Sequence, residues 1–96
     1  MSAKKRLELT GLAFRNIAAI EEYIAKDNPA AAQQVVKTIY HTAEKLETFP
    51  EIGRLGRVPG TRELPLSEYP YTLVYRIKAS RVIVYAVLHQ SRQYPS

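Results

Sequence analysis

The side chains best suited to chemistry lie in the second half of the sequence. Acid–base cleavage of RNA needs a base for the 2′-hydroxyl, an acid for the leaving oxygen, and cations that stabilise the developing phosphorane charge. His89 can act as acid or base, and Arg76 and Arg92 can supply positive charge. A single histidine at a strand end is more often structural, so this set is an alternative rather than the preferred assignment.

Arginines dominate the charge of the second half. The net charge is +5; residues 51–96 contain 7 basic and 3 acidic side chains, against 7 and 6 in residues 1–50. Six of those seven later bases are arginines, whose planar fork pairs with carboxylates and phosphates. We expect nucleic acid or an acidic protein segment to bind here. The expected contacts are Arg54, Arg57, Arg76 and Arg92. A solvated surface without a partner is the alternative.

Residues 49–64, FPEIGRLGRVPGTREL, combine glycine, arginine and proline, and we call them the Gly-Arg segment. Such a stretch can hold phosphate, but its glycines lack the GxxxxGK[ST] spacing of a P-loop. We therefore interpret residues 49–60 as a connecting loop between a helix and a sheet. Arg54 and Arg57 are expected to face a partner, whereas Arg62 is expected to form an ion pair at the edge of the core.

Composition narrows the class of protein. A chain of 96 residues suits one domain, 1–96. The absence of cysteine excludes disulfides and thiolate metal sites and fits a reducing cytoplasm. The sequence has no HExxH motif and no paired-carboxylate constellation, so we expect neither a metal nor a cofactor. No apolar run reaches the roughly 20 residues that cross a bilayer, and the basic start has no signal-peptide core, so we expect a cytoplasmic protein.

Hydrophobic periodicity predicts a small α+β fold. Residues 5–10 alternate as a first strand, and residues 11–26 carry the apolar stripe of an amphipathic helix. Asn28 and Pro29 mark the start of a second helix, which makes a helical hairpin. Three strands follow at 61–66, 71–78 and 81–89. The predicted order is β-α-α-β-β-β, with the hairpin packed on one face of a small, mainly antiparallel sheet.

Strand alternation sorts the side chains into two faces. A two-residue turn that pairs Lys78 with Arg81 puts Arg76 opposite Ile83 and Val74 opposite Tyr85. The helices are then expected to cover an apolar row formed by Tyr71, Leu73, Tyr75, Ile77, Val82, Val84, Ala86 and Leu88. The outer face is expected to carry Glu63, Pro65, Thr72, Val74, Arg76, Arg81, Ile83, Tyr85, Val87 and His89.

Six short motifs follow one another along most of the chain: AFRNIAAIEEYI, DNPAAA, FPEIGR, PGTREL, YPYTLVYRI and AVLHQSRQYP. Their order and spacing resemble the RelE/ParE superfamily of toxins from bacterial type II toxin–antitoxin modules. The resemblance implies the same fold and a cognate antitoxin whose C-terminal segment wraps the toxin in a hetero-oligomeric complex. We expect the groove between hairpin and sheet, together with the exposed arginines, to receive an acidic, amphipathic segment of that antitoxin.

The resemblance also implies one of two activities. One branch cleaves messenger RNA at the ribosome without a metal, and the ParE-like branch poisons DNA gyrase. The ribonuclease branch commonly has basic residues where this sequence has Glu63, Pro65 and Thr72, and only Arg92 lies where that branch often has a further arginine. We therefore predict inhibition of DNA gyrase by binding alone. A ribosome-dependent mRNA endoribonuclease that uses His89, Arg76 and Arg92 is the alternative.

Overall fold

In the computed structural model, which describes residues 4–91, two helices pack on one face of a five-stranded sheet. The elements are β1 (Arg6–Leu9), α1 (Gly11–Ala25), α2 (Pro29–Thr48), a 3₁₀ turn (Pro50–Ile52), β2 (Arg54–Leu55), β3 (Arg62–Pro65), β4 (Tyr71–Ile77) and β5 (Arg81–His89). The strand order is β1-β5-β4-β3-β2, with β1 parallel to β5 and the other neighbours antiparallel. The predicted α+β fold is confirmed. In residues 4–91, neither helix combines the length and the apolar character that a membrane span requires.

Thr10 begins α1 and also joins it to the sheet. Its Oγ1 accepts a hydrogen bond from the Ala13 amide at 3.1 Å, which satisfies one free amide of the first turn. The same hydroxyl donates to the carbonyl oxygen of Tyr85 in β5 at 2.8 Å. Ala13 and Ile17 then lie on the buried side of the helix. One side chain therefore fixes both the start of α1 and its position against the sheet.

The second helix begins where Asn28 and Pro29 predict. Asn28 Oδ1 accepts a hydrogen bond from the Ala31 amide at 3.1 Å, and Pro29 occupies the first turn, where its missing N–H has no consequence. The buried stripe of α2 consists of Ala32, Val35, Ile39, Ala43 and Leu46. It packs into one core with sheet residues that include Leu73, Tyr75, Val82 and Val84.

The β4–β5 hairpin has the predicted register near its turn. The Lys78 amide donates to the carbonyl oxygen of Arg81 at 2.8 Å, and Arg76 lies opposite Ile83. Farther along, a β-bulge shifts the pairing. Tyr75 lies opposite Val84, but Val74 lies opposite Ala86, so Tyr85 is the extra residue. The predicted pairing of Val74 with Tyr85 is therefore wrong.

The bulge exchanges the two faces of β5 after Tyr85. Val87 is 3% exposed and lies in the core, although simple alternation predicts it outside. Ala86 and Leu88 take the outer face instead of the helix face. His89 lies opposite Tyr71, and the two rings meet edge-on at 5.4 Å. The bulge coincides with a long-range contact, because the carbonyl oxygen of the bulged Tyr85 accepts a hydrogen bond from the hydroxyl of Thr10.

Residues 49–60 contain secondary structure that the sequence does not predict. The two residues of β2 pair with β3, with Arg54 opposite Glu63 and Leu55 opposite Arg62. A pair of residues is too short to show alternation, so the interpretation of this region as a plain loop is wrong at 54–55. The β2 strand forms one edge of the sheet.

We predict that Thr10→Ala lowers the free energy of unfolding by about 2 kcal/mol, because it removes a helix cap and also leaves the Tyr85 carbonyl without its donor. Asn28→Ala removes a solvent-exposed cap only and is expected to cost about 1 kcal/mol. Urea denaturation of both variants measures the difference. Equal losses would contradict a stabilising role for the Tyr85 contact.

Candidate functional site

The face of the sheet opposite the helices holds a cavity of about 220 Å³ beside the Gly-Arg segment, which we call the outer cavity. Its lining comprises Arg54, Arg57, Glu63, Pro65, Thr72, Val74, Leu88, His89 and Gln90. Alternation along β3 and β4 brings Glu63, Pro65, Thr72 and Val74 to this face, as predicted. The cavity is therefore bordered by two arginines and holds one carboxylate.

Glu63 is buried in the outer cavity with 4% of its surface exposed. Its carboxylate accepts a hydrogen bond from Arg54 Nη2 at 3.4 Å and another from the Arg57 amide at 3.1 Å. A buried carboxylate is stable only when it is paired or hydrogen-bonded, so the Glu63 carboxylate holds residues 54–57 against the outer face of β3. The Arg54 side chain remains 63% exposed, and a partner can still reach its guanidinium.

Tyr75 anchors the start of the Gly-Arg segment from inside the sheet. Its buried hydroxyl donates to the carbonyl oxygen of Pro50 at 2.6 Å and accepts from the Gly53 amide at 2.9 Å. A Cβ on Gly53 would lie 2.5 Å from that hydroxyl and 2.9 Å from the carbonyl oxygen of Glu63, so only glycine fits. This role of Tyr75 is not predicted above, although a tyrosine among apolar strand residues is itself a signal, because its hydroxyl needs a buried partner.

Arg62 stabilises the same turn, but not through the predicted ion pair. Its Nη1 donates to the carbonyl oxygen of Gly53 at 2.7 Å and to that of Glu51 at 3.4 Å. The arginine thus satisfies the free carbonyls at the end of the 3₁₀ turn. Arg62 thus binds backbone carbonyls rather than a carboxylate. It lies on the core-facing side of β3, as expected.

The second part of the Gly-Arg segment is held by hydrogen bonds to Thr61. The Thr61 hydroxyl donates to the carbonyl oxygen of Val58 at 2.6 Å, and the Gly56 amide donates to the carbonyl oxygen of Thr61 at 2.8 Å. Gly60 has φ of +85°, a left-handed conformation that glycine adopts without strain. Hydrogen bonds to its backbone groups therefore fix the Gly-Arg segment both near residues 50–53 and near residues 56–61.

Of the three predicted ribonuclease residues, the structure describes Arg76 and His89, and it places them apart. Arg76 lies on the outer face with its guanidinium 5.8 Å from the centre of the Tyr85 ring. His89 is at the other end of the hairpin, where Nδ1 accepts from the Ser91 amide at 3.1 Å. Since Tyr71 pairs with His89, Arg76 is five residues farther along β4, or roughly 17 Å away. Arg92 lies outside the described residues.

A second and larger groove, of about 540 Å³, lies between α1 and the end of β5. Its lining comprises Asn16, Ala19, Ile20, Tyr23, Tyr71, Val87, Leu88, His89 and Ser91. Asn16 Oδ1 accepts a hydrogen bond from the Val87 amide at 3.0 Å, which satisfies the strand edge that faces the helix. This α1–β5 groove is the groove between hairpin and sheet that the sequence analysis expects.

The two sites differ in the side chains that they present. Across residues 4–91, no three or more histidine, cysteine, aspartate or glutamate side chains come together in a way that could hold a metal ion. The outer cavity presents guanidinium groups around an already engaged carboxylate, and the α1–β5 groove presents apolar side chains. Such surfaces suit carboxylate-bearing and amphipathic protein segments.

Comparison with known proteins decides the family. The family model described as the ParE toxin of the type II toxin–antitoxin system parDE matches residues 7–94. The chain belongs to the ParE toxin family. Two curated relatives of this ParE-family toxin are also described as toxins. Y4kP of Sinorhizobium fredii is 40% identical over 93 residues, covering 97% of this chain and 96% of the relative. RelE2 of Caulobacter vibrioides is 31% identical over 83 residues, covering 86% of this chain and 92% of the relative.

Solved structures agree with the ParE assignment of the fold. A chain of the chromosomal ParDE toxin–antitoxin system from P. aeruginosa superposes with a TM-score of 0.82 at 25% identity, covering 92% of this chain and 98% of that one. A chain of the intact E. coli RelBE toxin–antitoxin complex gives a TM-score of 0.58 at 20% identity, covering 92% and 99%. The resemblance to the RelE/ParE superfamily is thus confirmed.

We predict that Tyr75→Phe lowers the free energy of unfolding by about 1–3 kcal/mol, because the Gly53 amide and the Pro50 carbonyl lose their buried partner. Tyr23→Phe is the matched control, since Tyr23 is 72% exposed and its hydroxyl is in water. Urea denaturation at neutral pH compares the two. An equal effect of both substitutions would contradict the anchoring role of Tyr75.

Tyr75→Phe should also change how the free energy of unfolding depends on pH. Burial raises the pKa of Tyr75 above its ordinary value of 10.0, with the Gly53 hydrogen bond and Arg62 partly opposing the effect. The folded protein then holds this proton more tightly than the unfolded chain. The resulting stabilisation is complete below pH 10.0 and is lost as the pH rises through the folded pKa. As the pH rises above 10.0, wild type should lose more stability in urea denaturation than Tyr75→Phe, which has no hydroxyl to ionise.

Proposed function

We propose that this ParE-family toxin arrests growth by binding DNA gyrase, without catalysing a reaction, and that a cognate antitoxin silences it in a hetero-oligomeric complex. The observation that carries the proposal is the environment of Glu63. The ribonuclease branch of the superfamily commonly has a cation on this strand. Here an acid that is 4% exposed binds Arg54 and the Arg57 amide inside the outer cavity. An incoming phosphate would meet a carboxylate at close range.

The positions of the remaining candidate residues support the same proposal. Ribonuclease chemistry requires the proton-transferring group and the cation to reach one phosphate. The Arg76 guanidinium lies over the Tyr85 ring, 5.8 Å from its centre, whereas His89 contacts Tyr71 and Ser91. A binding mechanism makes no such demand, because each exposed group contributes to recognition separately.

The proposed antitoxin contacts follow from charge and shape. The α1–β5 groove is lined by Ala19, Ile20, Tyr23 and Val87 and fits the apolar side of an amphipathic segment. Acidic residues of the same partner would pair with Arg54, Arg57, Arg76 and Arg92. Arg54 is the clearest of these, since its side chain is 63% exposed while its guanidinium is already oriented by Glu63.

A ribosome-dependent mRNA endoribonuclease remains the second candidate because His89 lines the outer cavity beside Gln90. In that case His89 would transfer the proton and Arg76 and Arg92 would bind phosphate. A test with two readouts separates the candidates. The toxin is induced in bacteria, transcript ends are mapped, and DNA supercoiling and gyrase-linked breaks are measured in the same culture.

We expect gyrase-linked DNA breaks with intact messages, and an unchanged result for His89→Gln. Codon-phased cuts in messenger RNA, found together with normal DNA supercoiling, would overturn the gyrase proposal. Loss of those cuts in His89→Gln would then identify the endoribonuclease.

We also predict that charge reversal at Arg54 and Arg57 weakens the antitoxin complex by roughly tenfold or more at low salt and reduces its salt dependence. Arg54→Gln with Arg57→Gln should act in the same direction without placing a new carboxylate beside Glu63. Charge reversal at Lys26 and Lys37, two exposed residues of the helical hairpin, is the control for net charge. Titration of the purified antitoxin at two salt concentrations measures the affinities. Unchanged affinity in the arginine variants would contradict their assignment as partner contacts.

A further inference from the structure

The Gly-Arg segment exposes an unusual share of the large apolar side chains. Seven such side chains are exposed in the described residues, and four of them fall between residues 49 and 58. They are Phe49 at 60% exposure, Ile52 at 49%, Leu55 at 79% and Val58 at 42%, and we call them the apolar strip. Single exposed apolar residues are ordinary on protein surfaces, whereas a cluster on one segment marks an interaction site.

The apolar strip is held in solvent by a rigid backbone. Tyr75 and Arg62 bind the backbone at residues 50–53, Glu63 binds the Arg57 amide, and Thr61 binds Val58. A segment fixed at so many points cannot turn its apolar side chains back into the core. The protein thus keeps them exposed, at a free-energy cost that a flexible loop would avoid.

At the β2 edge of the sheet, Leu55 of the apolar strip lies on the side opposite Arg54 and Arg57, which line the outer cavity. Because side chains alternate along a strand, Arg54 faces the outer cavity while Leu55 faces the helix side. The β2 strand ends the sheet, so a partner that covers this edge meets both sets of side chains. This edge is distant from the α1–β5 groove, since β4 and β3 separate β5 from β2.

The charge of the segment indicates the chemistry of its occupant. The Gly-Arg segment carries three arginines, Arg54, Arg57 and Arg62, against the two acids Glu51 and Glu63, in a chain with a net charge of +5. A second copy of this chain would bring the same arginines together, and repulsion disfavours it. A protein surface with an apolar centre and a rim of carboxylates is complementary to both features.

We infer that the apolar strip is the docking surface for the toxin's cellular target, an acidic protein surface with an apolar centre. The inference rests on the proposed function, in which the toxin acts by binding a protein. The antitoxin has a separate apolar site in the α1–β5 groove. It meets the strip only at its arginine border, where a bound acidic segment would obstruct the target.

Substitutions at Leu55 test the inference. Its side chain is 79% exposed, so replacing it leaves the core intact. Leu55→Ser, Leu55→Asp and Leu55→Lys are compared with Leu12→Ser, a leucine that is 49% exposed at the start of α1. Survival after induction without antitoxin measures toxicity. Titration with purified antitoxin measures neutralisation, pull-down with purified DNA gyrase holoenzyme measures target binding, and urea denaturation checks folding.

We expect Leu55→Ser to increase survival roughly tenfold or more, Leu55→Asp to increase it further, and Leu55→Lys to act least, because only lysine suits an acidic partner. Leu12→Ser should remain as toxic as wild type. Antitoxin affinity should change by less than about threefold in all four variants.

Full toxicity of Leu55→Asp would overturn the inference, and so would a parallel loss of antitoxin affinity, which would assign the strip to the antitoxin. Equal effects of Leu55→Asp and Leu55→Lys would overturn the acidic chemistry of the partner. If wild type does not bind gyrase but the Leu55 variants still lose toxicity, the inference stands and the proposed gyrase target fails.

Discussion

A carboxylate taken out of water must find compensating partners, and Glu63 imposes this constraint on the whole outer side of the molecule. Its oxygens are engaged by the Arg54 guanidinium and the Arg57 amide, which brings the Gly-Arg segment down onto the sheet. In the same arrangement β2 pairs with β3, and the Tyr75 hydroxyl binds Pro50 and Gly53. The arrangement of the arginines is a consequence of satisfying one acid.

The same constraint shapes what the site can do. A cavity that already contains a paired carboxylate is poorly suited to stabilise a phosphorane, whose charge needs uncompensated cations. It is well suited to present guanidinium groups in a fixed orientation, because Glu63 positions Arg54 while leaving most of its side chain in water. The outer cavity and the α1–β5 groove therefore divide the surface into a charged region and an apolar region on different parts of the sheet.

Local patterns predict the elements of this fold well, and long-range contacts explain the errors. The apolar spacing of both helices and the Asn28-Pro29 start are local properties, and they are confirmed. The bulged Tyr85 is hydrogen-bonded to Thr10, 75 residues away, and alternation alone cannot anticipate the bulge, so it assigns the end of β5 to the wrong face. The Tyr75 anchor likewise spans 22 and 25 residues to its two partners. The charge of Glu63 is visible in the sequence and distinguishes it from the cation of the ribonuclease branch, but its burial and its pairing with Arg54 emerge only from the fold.

The parallel pairing of β1 with β5 has a consequence for the synthesis of the protein. On the ribosome, β1 emerges first, yet the strand beside it in the sheet is made last, and Arg6 pairs with Arg81. The sheet cannot close, and the Thr10 cap cannot find Tyr85, until β5 has left the exit tunnel. Contacts so distant in sequence also slow folding after release. The first and last strands of the sheet are therefore neighbours, and the fold is complete only when both have been synthesised.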